Sequence, residues 1–66
     1  MNKLEKKVIQ CLNEDIKAPY EVAQELRMKR KMQLLKLKNA LNELYANDVI
    51  DTIKVNGEKK IYVKTM

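Results

Sequence analysis

The dipeptide Asn56-Gly57 constrains this chain more than any other feature. It holds the only glycine of 66 residues and stands between two β-prone runs, Ile53–Val55 and Ile61–Val63. Asn-Gly in such a setting is the strongest short-range signal for a β-hairpin. A two-stranded hairpin is marginal alone in water and must pack on something else. Everything before it carries helical periodicity, so the sequence predicts an α+β domain of helices followed by one hairpin. At this length the chain is expected to form one domain, residues 1–66, which buries only about 60% of its unfolded surface.

The helical part divides into three. Over residues 2–13, Leu4, Val8, Cys11 and Leu12 fall on one face, with Lys3, Lys6 and Lys7 largely off it. Asn13-Glu14-Asp15 interrupts the pattern, and Ile16 is a lone apolar residue suited to a short strand-like contact. A second helix is expected over residues 19–27. Pro19 suits its first position and Glu21 its first turn, although Ala18 is a poor cap, and Val22, Ala23 and Leu26 form the inner face. A third is expected over residues 29–47, on the stripe Leu34, Leu37, Leu41 and Leu44. Its start is open, because residues 28–32 read equally as turn or helix. The hairpin register is open too. A two-residue loop pairs Val55 with Glu58; a three-residue loop pairs Ile53 with Ile61, which sets apolar residues opposite each other and is the expected register.

Composition narrows the function. The chain has no His, Ser or Trp. A Ser-His-Asp or Cys-His catalytic arrangement cannot be built, and neither can a Cys/His zinc site. One glycine cannot make a phosphate-binding loop. The acids are scattered singly, without a pair suited to acid–base catalysis. No enzyme activity, cofactor, metal or small-molecule ligand is therefore expected. The single cysteine, on the inner face of the first helix, reads as a small buried hydrophobe and fits a reducing compartment. No uninterrupted apolar run exceeds three residues and no signal-peptide pattern is present, so no membrane partner and a cytoplasmic location are expected.

What remains is charge. The net charge is +5, yet residues 26–42 alone hold Arg27, Lys29, Arg30, Lys31, Lys36 and Lys38 without one acid. A merely solvated helix mixes signs and gains pairs three or four residues apart. With the leucine stripe inward, the opposite face of the third helix presents Lys29, Met32, Lys36, Asn39 and Glu43, with Leu35 beside it and Lys31 and Lys38 flanking the stripe. Lysines neutralise phosphates, Asn pairs with adenine edges and apolar groups meet thymine methyls, so such a face suits a DNA major groove. The hairpin adds Lys54, Lys59, Lys60 and Lys64 against Asp51 and Glu58. Tyr45 and Tyr62 read as packing residues, since no RNA-binding aromatic pattern surrounds them. Tyr20 is balanced between packing and a phosphate contact. Met28, Met32 and Leu35 exceed one core stripe; they either extend the core under the turn or form a partner surface.

The run Ala18-Pro19-Tyr20-Glu21-Val22-Ala23-Gln24-Glu25-Leu26 resembles the opening of the second helix of winged helix-turn-helix domains. Leu37-x3-Leu41-x2-Leu44-x3-Asp48-Val49-Ile50 resembles their recognition helix and its exit into the first wing strand. The resemblance implies three helices followed by a two-stranded wing. It also implies double-stranded DNA as partner. Lys29, Arg30, Met32, Gln33, Lys36 and Asn39 would face the major groove, with Lys31 in the same basic run. Tyr20 would meet phosphate, and Lys59 and Lys60 would reach backbone or minor groove from the wing. A small transcriptional regulator follows, acting as a homodimer or in tandem, because one such module covers a short site. The alternative is a winged-helix protein-interaction module without DNA contact, working through Met28, Met32 and Leu35; RNA binding through the basic face is a third reading. The chain departs from the pattern in the turn, where Arg27-Met28-Lys29 replaces the usual small or polar residues, and at two further points. The interval from Leu26 to Val49 is about one helical turn longer than usual, giving either an extended third helix or a basic loop, and Asp48 stands where glycine is usual.

Overall fold

The computed structural model describes residues 2–64 and contains three helices followed by a hairpin: α1 Lys3–Glu14, α2 Pro19–Glu25, α3 Lys31–Ala46, β1 Ile50–Val55 and β2 Glu58–Val63. Helix α1 starts at a reciprocal cap. The Glu5 amide donates to Asn2 Oδ1 at 2.8 Å and the Asn2 amide donates to Glu5 Oε1 at 3.2 Å, satisfying two of the amides that a helix start leaves unpaired. Ala18 offers no capping side chain, so α2 is closed from the other direction: its own Glu21 Oε1 accepts from the Ala18 amide at 2.9 Å.

Helices α2 and α3 end in the same way. The Arg27 amide donates to the Gln24 carbonyl and the Met28 amide to the Ala23 carbonyl; the Asp48 amide donates to the Tyr45 carbonyl and the Val49 amide to the Leu44 carbonyl. This is the Schellman pattern, and it requires a left-handed residue just past each helix. Arg27 (φ 56°) and Asp48 (φ 64°) occupy those positions, where glycine would be less strained. Helix α2 therefore stops two residues before the expected end. Residues 26–30 form an irregular basic turn, and α3 begins at Lys31 rather than at residue 29. The extra length between Leu26 and Val49 is the loop, not an added helical turn.

The hairpin register is Val55 opposite Glu58, Ile53 opposite Lys60 and Thr52 opposite Ile61. The expected pairing of Ile53 with Ile61 does not occur. Asn56 and Gly57 both have positive φ (54° and 81°), the type I′ geometry whose twist matches that of the strands, and this fixes a two-residue loop. Apolar pairing yields to turn geometry. Ile53 consequently faces outward, 48% exposed, while Ile61 is fully buried. The connector between α1 and α2 also joins the sheet. Lys17 pairs with Ile61 by two backbone bonds of 3.2 and 2.7 Å, so β2 lies between β1 and the connector. The strand-like contact falls on Lys17; its neighbour Ile16 is exposed.

The core collects Val8, Cys11 and Leu12 from α1, Val22 and Ala23 from α2, Leu37, Leu41 and Leu44 from α3, and Ile50 and Ile61 from the hairpin. The expected inner faces of α1 and α2 are thus correct, with Leu26 partly buried against the same cluster. Leu34 departs from the α3 stripe. It is 42% exposed and lines an open groove with Pro19 and Tyr20 rather than joining the core. Among the described residues no helix is long and apolar enough to cross a membrane.

Candidate nucleic-acid interface

The direction of α3 is set at its first turn. Gln33 Oε1 accepts from the amides of both Lys29 and Arg30 at 3.2 Å, closing the helix start and tying the basic turn to it. The Gln33 carbonyl oxygen is therefore committed to backbone. Lys29 and Arg30 lie before the helix, Arg30 as its extended cap, and both are exposed.

Helical geometry of about 100° per residue then distributes the side chains of α3. With Leu37, Ala40, Leu41 and Leu44 inward, the outermost line is Leu35, Asn39, Asn42 and Ala46. One flank carries Met32, Gln33, Lys36 and Glu43. The other carries Lys31, Leu34, Lys38 and Tyr45, and it contains no acid. The fold gives these flanks different neighbours. Lys36, Asn39 and Glu43 line a shallow depression with Asn2 and Leu4, at the start of α1. Leu34, Lys38, Asn42 and Tyr45 turn toward the hairpin, where Lys59 stands across a groove of about 360 Å³. Pro19 and Tyr20 close its third side, and its floor is Ala23, Leu37 and Leu41.

The sequence-predicted residues therefore divide. Tyr20, Lys59 and the acid-free flank that includes Lys31 belong to the hairpin side. Met32, Lys36 and Asn39 lie on the outer and α1 side. Lys38, Asn42 and Tyr45 were not among the candidates, although they line the groove. A signal existed: Lys38 and Tyr45 share one helical flank seven residues apart, and Asn42 lies at its outer edge. Nothing in the sequence says that this flank faces the hairpin.

Two contacts hold the hairpin against α2. The Tyr20 hydroxyl donates to Glu58 Oε1 at 2.9 Å, and Lys60 Nζ lies 3.4 Å from Glu21 Oε1. The Glu58 carboxylate raises the Tyr20 phenol above its ordinary value. The bond from the Ala18 amide, with Lys60 adding to it, holds Glu21 below the usual carboxylate value, and Glu21 in turn raises Lys60. Lys60 and Glu58 are thus internally engaged. Lys64 is likewise paired with Asp48 at 2.7 Å. Among the described residues, no carboxylate lies within ion-pair distance of Lys31, Lys36, Lys38, Lys54 or Lys59.

The hairpin register has an electrostatic consequence. Lys54 stands directly opposite Lys59, one step from the pair that flanks the turn. In the alternation of an antiparallel ladder this is the close, non-hydrogen-bonded kind of pair, with Cα atoms about 4.5 Å apart. Like charges so placed repel and destabilise the sheet. The tip is therefore an anion-attracting point beside the groove.

Outside the groove, the Cys11 thiol donates to Glu25 Oε2 at 2.9 Å, and Lys17 Nζ meets the same oxygen at 3.5 Å and the Cys11 carbonyl at 2.9 Å. Burial first, then the Glu25 contact, push the thiol up to about 11. This cluster joins α1, the connector and α2, and its thiol is held in the unreactive form.

No protein-family model, curated protein or solved structure matches this chain.

Proposed function

We propose that the chain is a winged helix-turn-helix protein that binds double-stranded DNA, with α3 in the major groove and the hairpin as the wing on the adjacent backbone. The observation that carries this reading is the groove between α2 and α3, lined by no acid and bordered by Lys59 of the hairpin. Lys38 stands on one wall and Lys59 on the other, with no carboxylate in ion-pair reach of either among the described residues. The Lys54–Lys59 pair extends the same sign to the hairpin tip. The basic turn at residues 26–30 supplies Arg27, Lys29 and Arg30 at the other end of α3. Acids near the wing are occupied: Glu58 by Tyr20 and Glu21 by Lys60. The protein would act as a small regulator by occupying DNA or recruiting a partner to it.

Fluorescence anisotropy with a random-sequence duplex at several salt concentrations tests this. About five phosphate contacts give a log–log salt slope of roughly −4 to −5. Replacing Lys38 and Lys59 together by Gln is expected to make that slope shallower by roughly two. Replacing Lys29 and Lys36 together measures the α1-side contribution by the same reading. Absence of binding at low salt refutes the proposal.

One observation favours a second reading, a protein-interaction module. Met32 and Leu35 are 64% and 50% exposed on the outer side of α3, where an apolar partner surface would sit. A duplex titration with no binding at low salt is the outcome this reading requires.

A further inference from the structure

The groove between α2 and α3, with Lys59 of the hairpin at its edge, is larger and more apolar than phosphate contacts require. Its volume of about 360 Å³ falls within the size class of pockets for single small groups, about 300–1,000 Å³. Tyr20 and Tyr45 both line it, as does Leu34. Tyr20 and Leu34 are 57% and 42% exposed, so much of this apolar surface is left to water. Phosphates would engage Lys38 and Lys59 without needing aromatic rings. A fully paired duplex offers only base edges, sugars and phosphates, because its base faces are stacked on each other. An apolar, aromatic-lined surface between two cations fits something that combines a flat apolar face with a negative charge.

We infer that the groove receives one unpaired nucleotide of the bound DNA, its base against Tyr20 and Tyr45 and its phosphate between Lys38 and Lys59. Asn42, on the same wall, has an amide able both to donate to and to accept from a base edge. The inference rests on the DNA-binding reading and deepens it: the preferred substrate is a duplex that carries an unstacked base, such as a bulge. Base–aromatic stacking tolerates any base, so the preference follows DNA structure rather than sequence. The half-buried position of Tyr45 suits this role. Its contact with the core fixes the ring while part of it lines the groove.

The test compares three labelled hairpin duplexes with the full chain by anisotropy at one salt concentration. One is fully paired, one carries a single extra thymidine in the stem, and one carries an abasic residue at that bulge. The bulged duplex is expected to bind at least roughly fivefold tighter than the paired one, the lower end of what one stacked base gives. The abasic bulge is expected to lose that gain. In Tyr20→Leu and Tyr45→Leu the ratio of bulged to paired affinity is expected to fall to about one. Tyr20 is exposed, so its variant stays informative if the other unfolds. Equal affinity for the paired and bulged duplexes overturns the inference and leaves duplex binding intact. A gain retained by the abasic bulge also overturns it, since distortion rather than the base would be recognised. Failure to bind any of the three overturns this inference and the DNA reading together.

Discussion

Replacing Lys54 by Thr is expected to stabilise the fold while weakening DNA binding. Lys54 and Lys59 face each other across the ladder near the turn, and no carboxylate is within ion-pair reach of either among the described residues. A cross-strand pair contributes roughly 0.2–1 kcal/mol, with the sign set by its charges. Removing one charge relieves the repulsion, and a β-branched residue fits the strand better than Lys does. A gain of roughly 0.5–1 kcal/mol follows. A 66-residue domain has an unfolding entropy of roughly 0.14 kcal/mol/K, so the midpoint should rise by about 4–7 °C. The assay is thermal unfolding by circular dichroism at low and high salt. The electrostatic part should shrink at 1 M salt, where the Debye length is about 3 Å. In a Lys59→Thr background the second substitution should give a smaller gain, limited to the better strand fit of Thr, because the repelling partner is gone. DNA affinity should fall in the same variant, with the salt slope shallower by roughly one. A midpoint that is unchanged or lower at low salt refutes the reasoning, because the two lysines would then not oppose each other in the folded state.

Arg27→Gly removes a non-glycine residue from φ 56° and is expected to stabilise by about 1 kcal/mol, checked by urea unfolding; no gain would mean that Arg27 is not left-handed in solution. Glu21 and Glu25 are held below their ordinary value of 4.5, chiefly by the Ala18 amide and the Cys11 thiol respectively. Carboxylates with a depressed folded value contribute stability above the unfolded value and lose it as pH falls through the folded one. Unfolding midpoints should therefore hold at neutral pH and drop below about pH 4.5, with a shallower drop in Glu25→Gln. With its thiol pushed up to about 11 and buried, Cys11 should resist a thiol reagent at pH 8 in the native protein and react at once in denaturant. Fast native labelling would show that the contact with Glu25 opens readily.

The sequence by itself determined the element order and most of the core. Leu4, Val8, Cys11 and Leu12 share a face at any helical geometry, and so do Leu37, Leu41 and Leu44. Asn56-Gly57 determined the hairpin, because positive φ at two successive residues is tolerated by few other pairs. The same dipeptide also dictated the register; the appeal of pairing Ile53 with Ile61 could not lengthen a turn whose geometry was already set. Arg27 concealed the end of α2, since nothing local marks a base as left-handed until its amide finds the carbonyl inside the helix, whereas the end of α3 at Asn47-Asp48 was legible. Only the tertiary structure decided which flank of α3 meets the hairpin. A helical wheel built on the leucine stripe puts Lys36 outward and Lys38 beside the stripe, and it is silent on which side the hairpin lies. They differ because the start of α1, with Asn2 and Leu4, lies beside Lys36, whereas Pro19 and Tyr20 of α2 and Lys59 of the hairpin lie beside Lys38. Long-range packing decides what local periodicity leaves open, and with it assigns Lys38, Asn42 and Tyr45 to the groove.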